Sequence, residues 1–210
     1  GMAVTVRDQD VRAKVRTRKV GATIVFCLDA SGSMNASARM DAAKAAVLEL
    51  LVDAYQRRDR VAVVSFRGDD AELVLAPTGS VELANLKLRK LPTGGATPLA
   101  HGLLRALEVA EAELRRDAET VPWLVLVTDG RANVGLDGGI GSSDAKAAAA
   151  KVRNAGINSV VIDTAEQGGN SAARDLARAA GAEYVRLGTL DGSSVAKAVR
   201  QRTAGTPQAR

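Results

Sequence analysis

Apolar residues follow two rhythms along this chain, and the two alternate from one end to the other. Nearly unbroken apolar runs, rich in β-branched residues, occur at Ile24–Leu28, Val61–Phe66, Val121–Val127 and Ile157–Ile162. Runs of that length and character predict strands covered on both faces. Between them the apolar positions recur at three- and four-residue steps. Met40, Ala43, Ala46, Val47, Leu50, Leu51 and Ala54 mark an amphipathic helix over residues 36–57. Further helices are predicted over 81–91, about 98–116, about 143–154, 171–180 and 191–202, and short strands at Glu72–Ala76 and Glu183–Arg186. Strands that alternate with helices predict an α/β domain: a doubly wound, Rossmann-like, mostly parallel sheet with helices on both faces. The pattern gives one domain over residues 20–202, with an arm at 1–19 and a short tail at 203–210.

The arm has a third rhythm. Val11, Ala13, Val15 and Thr17 alternate with Arg12, Lys14, Arg16 and Arg18, which predicts an edge strand or extended arm. Much of the net charge of +5 sits there, so the excess marks a local basic segment rather than a binding face. Aromatic residues make up only 2% of the chain, too few for the stacking platforms of single-strand nucleic-acid modules. No nucleic-acid partner is expected. Cys27 is the sole cysteine, which excludes an internal disulfide or a cysteine metal cluster and suits a reducing compartment. With no apolar stretch of membrane-spanning length, the expected location is cytoplasmic.

Chemistry concentrates where the first apolar run stops. Asp29-Ala30-Ser31-Gly32-Ser33 follows it directly, placing one carboxylate and two hydroxyls at the carboxyl end of a central strand. Hard divalent cations take oxygen ligands of this kind, and Mg²⁺ needs few carboxylates because it keeps several waters. The same residues also make good turns and helix caps. Two more sites fall on loops that a doubly wound sheet brings to the same edge: Thr97 in Gly-Gly-Ala-Thr-Pro, and Asp129 in Thr-Asp-Gly. Each has an ordinary alternative, Thr97 as a helix N-cap ahead of Pro98 and Asp129-Gly130 as a turn.

Taken together, Asp29-x-Ser31-x-Ser33, Thr97 and Asp129 resemble the metal-ion-dependent adhesion site of von Willebrand factor A domains, also called integrin I-type domains. The resemblance covers residues of about 20–200. Residues 29–34, 54–67, 91–103 and 128–133 are similar, more finely, to the D subunits of magnesium chelatases and their chelatase-like relatives. It implies a Mg²⁺ ion, or a related cation such as Mn²⁺, contacted by the two serines and the threonine directly or through water. A partner's Asp or Glu carboxylate would complete the coordination. It further implies an AAA+ ATPase subunit and a tetrapyrrole-binding chelatase subunit as partners; an adhesion or scaffold role with an unrelated partner is the alternative. Arg131 and Asn133, just past Asp129, are candidate partner contacts.

Enzymatic readings fare worse. His101, the only histidine, falls about one turn into the helix after Thr97, and the Gly-x-Ser-x-Gly nucleophile elbow is absent. The phosphate-binding loop Gly-x-x-x-x-Gly-Lys-[Ser/Thr] is missing too, and the glycine-rich segment 135–141 fails the dinucleotide pattern. The domain is expected to bind rather than to catalyse.

Overall fold

A computed structural model describes residues 21–32, 36–57, 59–165, 172–186 and 192–203. Six strands form one sheet: β1 (Ala22–Asp29), β2 (Arg60–Arg67), β3 (Asp70–Thr78), β4 (Val121–Thr128), β5 (Asn158–Asp163) and β6 (Glu183–Arg186). Six helices intervene: α1 (Ala36–Arg57), α2 (Val81–Leu88), α3 (Leu99–Arg116), α4 (Gly141–Asn154), α5 (Ala172–Ala180) and α6 (Gly192–Thr203). The strand order is β3-β2-β1-β4-β5-β6, parallel throughout except for β3, which runs antiparallel to β2. This is the doubly wound architecture that the alternating rhythms predict.

Alternation along the strands divides the core in two. Ile24, Phe26 and Leu28 of β1 face a layer built on Ala46, Val47 and Leu50 of α1, Ala84 and Leu88 of α2, and Val199 of α6. Val25 and Cys27 face α3, α4 and α5 through Leu99, Leu103, Ala148 and Leu176. Cys27 is therefore a packing residue, and its burial pushes the thiol far above the ordinary range. Leu28 and Phe26 are essentially without solvent contact, as expected of a strand sandwiched between helical layers.

Strand order reverses between β1 and β4, which run parallel: from β1 the sheet grows outward through β2, and from β4 through β5. A crevice opens at the carboxyl ends of strands at such a switch point. Asp29 is the last residue of β1 and Thr128 the last of β4. The two ends are adjacent, Leu28 pairing with Val127.

The opposite, amino edge is held by charge. Glu113 of α3 is buried and accepts from Thr23 Oγ1 at 3.2 Å, Arg60 Nη1 at 2.8 Å and Arg116 Nη2 at 3.0 Å. Arg60 also donates to the carbonyl of Pro77, tying β2 and β3 to this cluster. The arm at 1–19 and residues 204–210 of the tail lie outside the described residues. No described helix is long and apolar enough to cross a membrane.

Candidate metal-binding edge

Asp29 is buried at the switch point with only 5% of its surface exposed. Ser31 turns back onto it, donating from Oγ at 2.6 Å and from its backbone N at 3.1 Å, both to Oδ1. The other carboxylate oxygen, Oδ2, accepts from Thr128 Oγ1 at 2.7 Å. Thr128 Oγ1 in turn accepts from Gly130 N at 3.0 Å, which fixes the start of the Asp129 turn. The burial of Asp29 raises its pKa; hydrogen bonds from Ser31 and Thr128 oppose the rise, and the negative charge of Asp129 adds to it. The native fold thus places two acids close enough to repel, one of them poorly solvated. A cation between them removes both costs.

The third loop is docked by backbone alone. Gly32 N donates to Gly95 O at 3.0 Å and Gly94 N donates to Ala30 O at 2.8 Å, a reciprocal pair joining the β1 end to the Gly94–Thr97 loop. Gly68 N donates to Ala96 O at 3.0 Å from the other side. Gly94 and Gly95 have φ of 119° and 92°, a region costly for any residue with a Cβ. A side chain at Gly32 would put its Cβ 3.1 Å from Gly95 N. The glycines here let two backbones touch, and this closeness delivers Thr97 to the edge.

Thr97 is 5% exposed. It does not cap α3: Pro98 occupies the N-cap position, and no side-chain hydrogen bond closes the helix start. The N-cap alternative for Thr97 is thereby corrected, and its hydroxyl is not spent on the helix. The backbone of Thr97 is held instead by Asn133, whose Oδ1 accepts from Thr97 N at 2.6 Å while Asn133 N donates to Thr97 O at 3.3 Å. Asn133 therefore joins the β4 loop to the Thr97 loop. Asp129 accepts from Arg131 N at 3.0 Å through Oδ1, so the turn chemistry expected of Asp129-Gly130 is present as well. The Arg131 guanidinium lies 3.7 Å from Asp129 Oδ2 and is 80% exposed, on the rim.

Four of the five predicted ligands, Asp29, Ser31, Thr97 and Asp129, thus come from three loops at one sheet edge. Ser33 lies outside the described residues. Among the described residues no group of three or more His, Cys, Asp or Glu could hold a metal. The donor set at this edge is of another kind, two carboxylates with hydroxyls, which fits a hard cation that keeps its waters. The same region holds two positioning residues that sequence reasoning did not single out for that role, Thr128 and Asn133. A hydroxyl at the last position of an apolar strand was the available signal for Thr128; the Asn133 contact spans 36 positions and left none.

His101 sits on the first turns of α3 with its Nδ1 buried and unpartnered among the described residues. No described hydrogen bond links it to Ser31, whose hydroxyl donates to Asp29 Oδ1 instead.

Comparison with known proteins agrees with this architecture. Residues 24–131 match the model of the von Willebrand factor type A domain. The chain is 45% identical over 190 residues to the magnesium-chelatase 60 kDa subunit of Cereibacter sphaeroides, covering 89% of this chain and 33% of that one. It is 44% identical over 192 residues to an uncharacterised protein of Mycobacterium tuberculosis, covering 91% of this chain and 30% of the relative. The chain thus spans about a third of the length of these curated relatives. Among solved structures, the vWF domain of the pilus tip protein Mfa5 from Porphyromonas gingivalis superposes with a TM-score of 0.70 at 12% identity, covering 92% of this chain and 99% of that one. At that identity the likeness concerns the fold. The order of elements, the sheet topology and the matched segment agree, and the chain belongs to the von Willebrand factor type A domain family.

Proposed function

We propose that this domain is a Mg²⁺-dependent protein-interaction module whose ion is held by Asp29, Ser31, Ser33, Thr97 and Asp129, with Mn²⁺ as an alternative occupant. The observation that carries the reading is the buried Asp29 carboxylate, hydrogen-bonded by Ser31 and Thr128 and raised in pKa by desolvation and by Asp129. Few anionic ligands leave a bound Mg²⁺ electrophilic, so an Asp or Glu carboxylate of a partner gains strongly by joining it. The metal would supply that attraction and favour the ionised form of Asp29; the chain's own residues would orient it, the hydrogen bonds from Ser31 and Thr128 offsetting part of the cost of a buried carboxylate. In this reading the domain binds and does not itself catalyse.

The relatives' names support a finer assignment. The domain would serve as part of a chelatase-type D subunit, coupling an AAA+ ATPase subunit to metal insertion by a tetrapyrrole-binding subunit. An equally similar relative carries no chelatase name, which favours as second reading an adhesion or scaffold domain with an unrelated partner. A reducing, cytoplasmic setting accords with the one buried thiol.

Calorimetric titration with Mg²⁺ on wild type and Asp29→Ala, repeated with a candidate AAA+ partner, tests this. Wild type should bind the ion and bind the partner only with Mg²⁺, and Asp29→Ala should lose both. Partner binding indifferent to metal and to Asp29 would reduce the cluster to turn chemistry.

A further inference from the structure

Beside the candidate metal-binding edge, α3 and the outer strand β3 leave a groove between them with a volume of about 760 Å³. Ala71 and Leu73 line its strand side and both pack toward α3. His101, Leu104 and Glu108 line its helix side, at the three- and four-residue steps that make one stripe along a helix. The His101 Nδ1 buried beside this groove has no hydrogen-bond partner, and a buried polar atom of that kind calls for one.

β3 is the outermost strand on its side of the sheet, and its edge away from β2 has no strand partner among the described residues. Edge strands are normally guarded by bulges and prolines. Here those guards sit at one end only. The register shifts fall between Val61 and Val64 of β2, and Pro77 lies near the far end of β3. Asp70–Leu73, the stretch that lines the groove, pairs with Val64–Arg67 without a break. A four-residue stretch of regular pairing thus lies where the groove opens, guarded only by the exposed carboxylates of Asp70 and Glu72.

Side-chain alternation and charge define what would fit. Ala71 and Leu73 face the groove, whereas Asp70 and Glu72 alternate to the other face and are exposed. Arg105, the one cation among the described residues that line the groove, pairs with Glu108 at 2.7 Å. An added strand would therefore meet apolar positions at Ala71 and Leu73, and exposed carboxylates at Asp70, whose Oδ1 accepts from Ala71 N at 2.7 Å, and at Glu72. We propose that the groove takes a short extended segment of a partner protein, added as a strand to β3 at Asp70–Leu73. Its apolar side chains seat between Leu73 and Leu104, and basic residues at the alternate positions pair with Asp70 and Glu72. Backbone hydrogen bonds give such a complex its affinity and the alternate pockets its selectivity. None of the candidate metal ligands lines this groove.

The test uses the full chain in EDTA with a fluorescein-labelled peptide, Val-Lys-Val-Arg-Val-Lys-Val-Arg, a sequence that does not occur in this chain. A peptide of identical composition with its apolar and basic residues in two blocks is the control. Fluorescence anisotropy should show saturable binding of the alternating peptide at least tenfold tighter than the block peptide. Hydrogen exchange of the amides at 70–73 should slow on its addition. Leu104→Lys and the surface change Glu72→Lys should each weaken binding tenfold or more, the second with no change in thermal midpoint. Absent or equal binding of the two peptides, or binding indifferent to Glu72→Lys, overturns the proposal. So does protection, before any peptide is added, of those amides at 70–73 that point away from β2, because the chain itself or a second copy then fills the edge.

Discussion

Asp29 controls the chemistry of the carboxyl edge through its protonation. Its pKa in the fold is raised above the unfolded value, chiefly by burial, so the native state holds a proton that the unfolded chain releases earlier. Stability in chelator is then full below the ordinary carboxylate range and declines as pH rises through the raised native value. Thermal midpoints measured in EDTA between pH 4 and pH 8 should fall across that window for wild type and stay flatter for Asp29→Asn. Saturating Mg²⁺ should flatten the wild-type curve as well, since the ion stabilises the ionised carboxylate. Thr128→Val removes a hydrogen bond to this buried carboxylate and leaves Gly130 N without its acceptor. Bonds to charged groups of that kind carry about 1.5–3 kcal/mol, and urea denaturation of the variant should register a loss in that range. That Asp29, Ser31, Thr97 and Asp129 lie at one edge was legible because Asp29 and Asp129 stop apolar strands and the doubly wound pattern brings the Thr97 loop, between α2 and α3, to the same side. The partners that hold them were not: nothing local in the sequence ties Asn133 to Thr97.

At the level of elements, apolar rhythm located every strand and helix of the described fold, and the differences lie at their ends. β3 spans Asp70–Thr78 rather than stopping at Ala76, because pairing with β2 sets its length, not its own pattern. α4 begins at Gly141, two residues ahead of the apolar signal, where a Cβ would lie 2.7 Å from Ala132 O. Pro98 precedes α3 rather than entering it. These outcomes depend on contacts between elements distant in sequence. Gly102 is one such contact, since a Cβ there would stand 2.3 Å from the Phe66 ring, inside the layer that seats α3 on β2. Gly102→Ala is expected to destabilise by about 1–3 kcal/mol, the usual result of overpacking a core, and calorimetric melting checks it. Because α3 follows Thr97 directly, the same variant should also weaken Mg²⁺ binding, whereas a core change remote from α3 should not.

Across the whole molecule the two edges of the sheet divide the work. Glu113 gathers Thr23, Arg60 and Arg116 at the amino edge, while the candidate ligands gather at the carboxyl edge. Glu113→Ala should cost about 1–3 kcal/mol, discounted because both arginines are partly exposed, yet Mg²⁺ affinity by calorimetry should stay within twofold of wild type. Conversely, Mg²⁺ at about a hundred times its dissociation constant should add ~2.7 kcal/mol of stability, seen as a rise in thermal midpoint that Asp29→Ala abolishes.

The reciprocal backbone bonds between Gly32–Gly95 and Ala30–Gly94 bear on redesign. This seam is written in main-chain atoms, so it is indifferent to the side chains around it provided the glycines stay. The exposed Arg131 side chain on the rim can then be exchanged, with Asn133 kept for its hold on Thr97, without re-engineering the candidate cation site. The scaffold separates the part that must be kept from the part that can be given a new address.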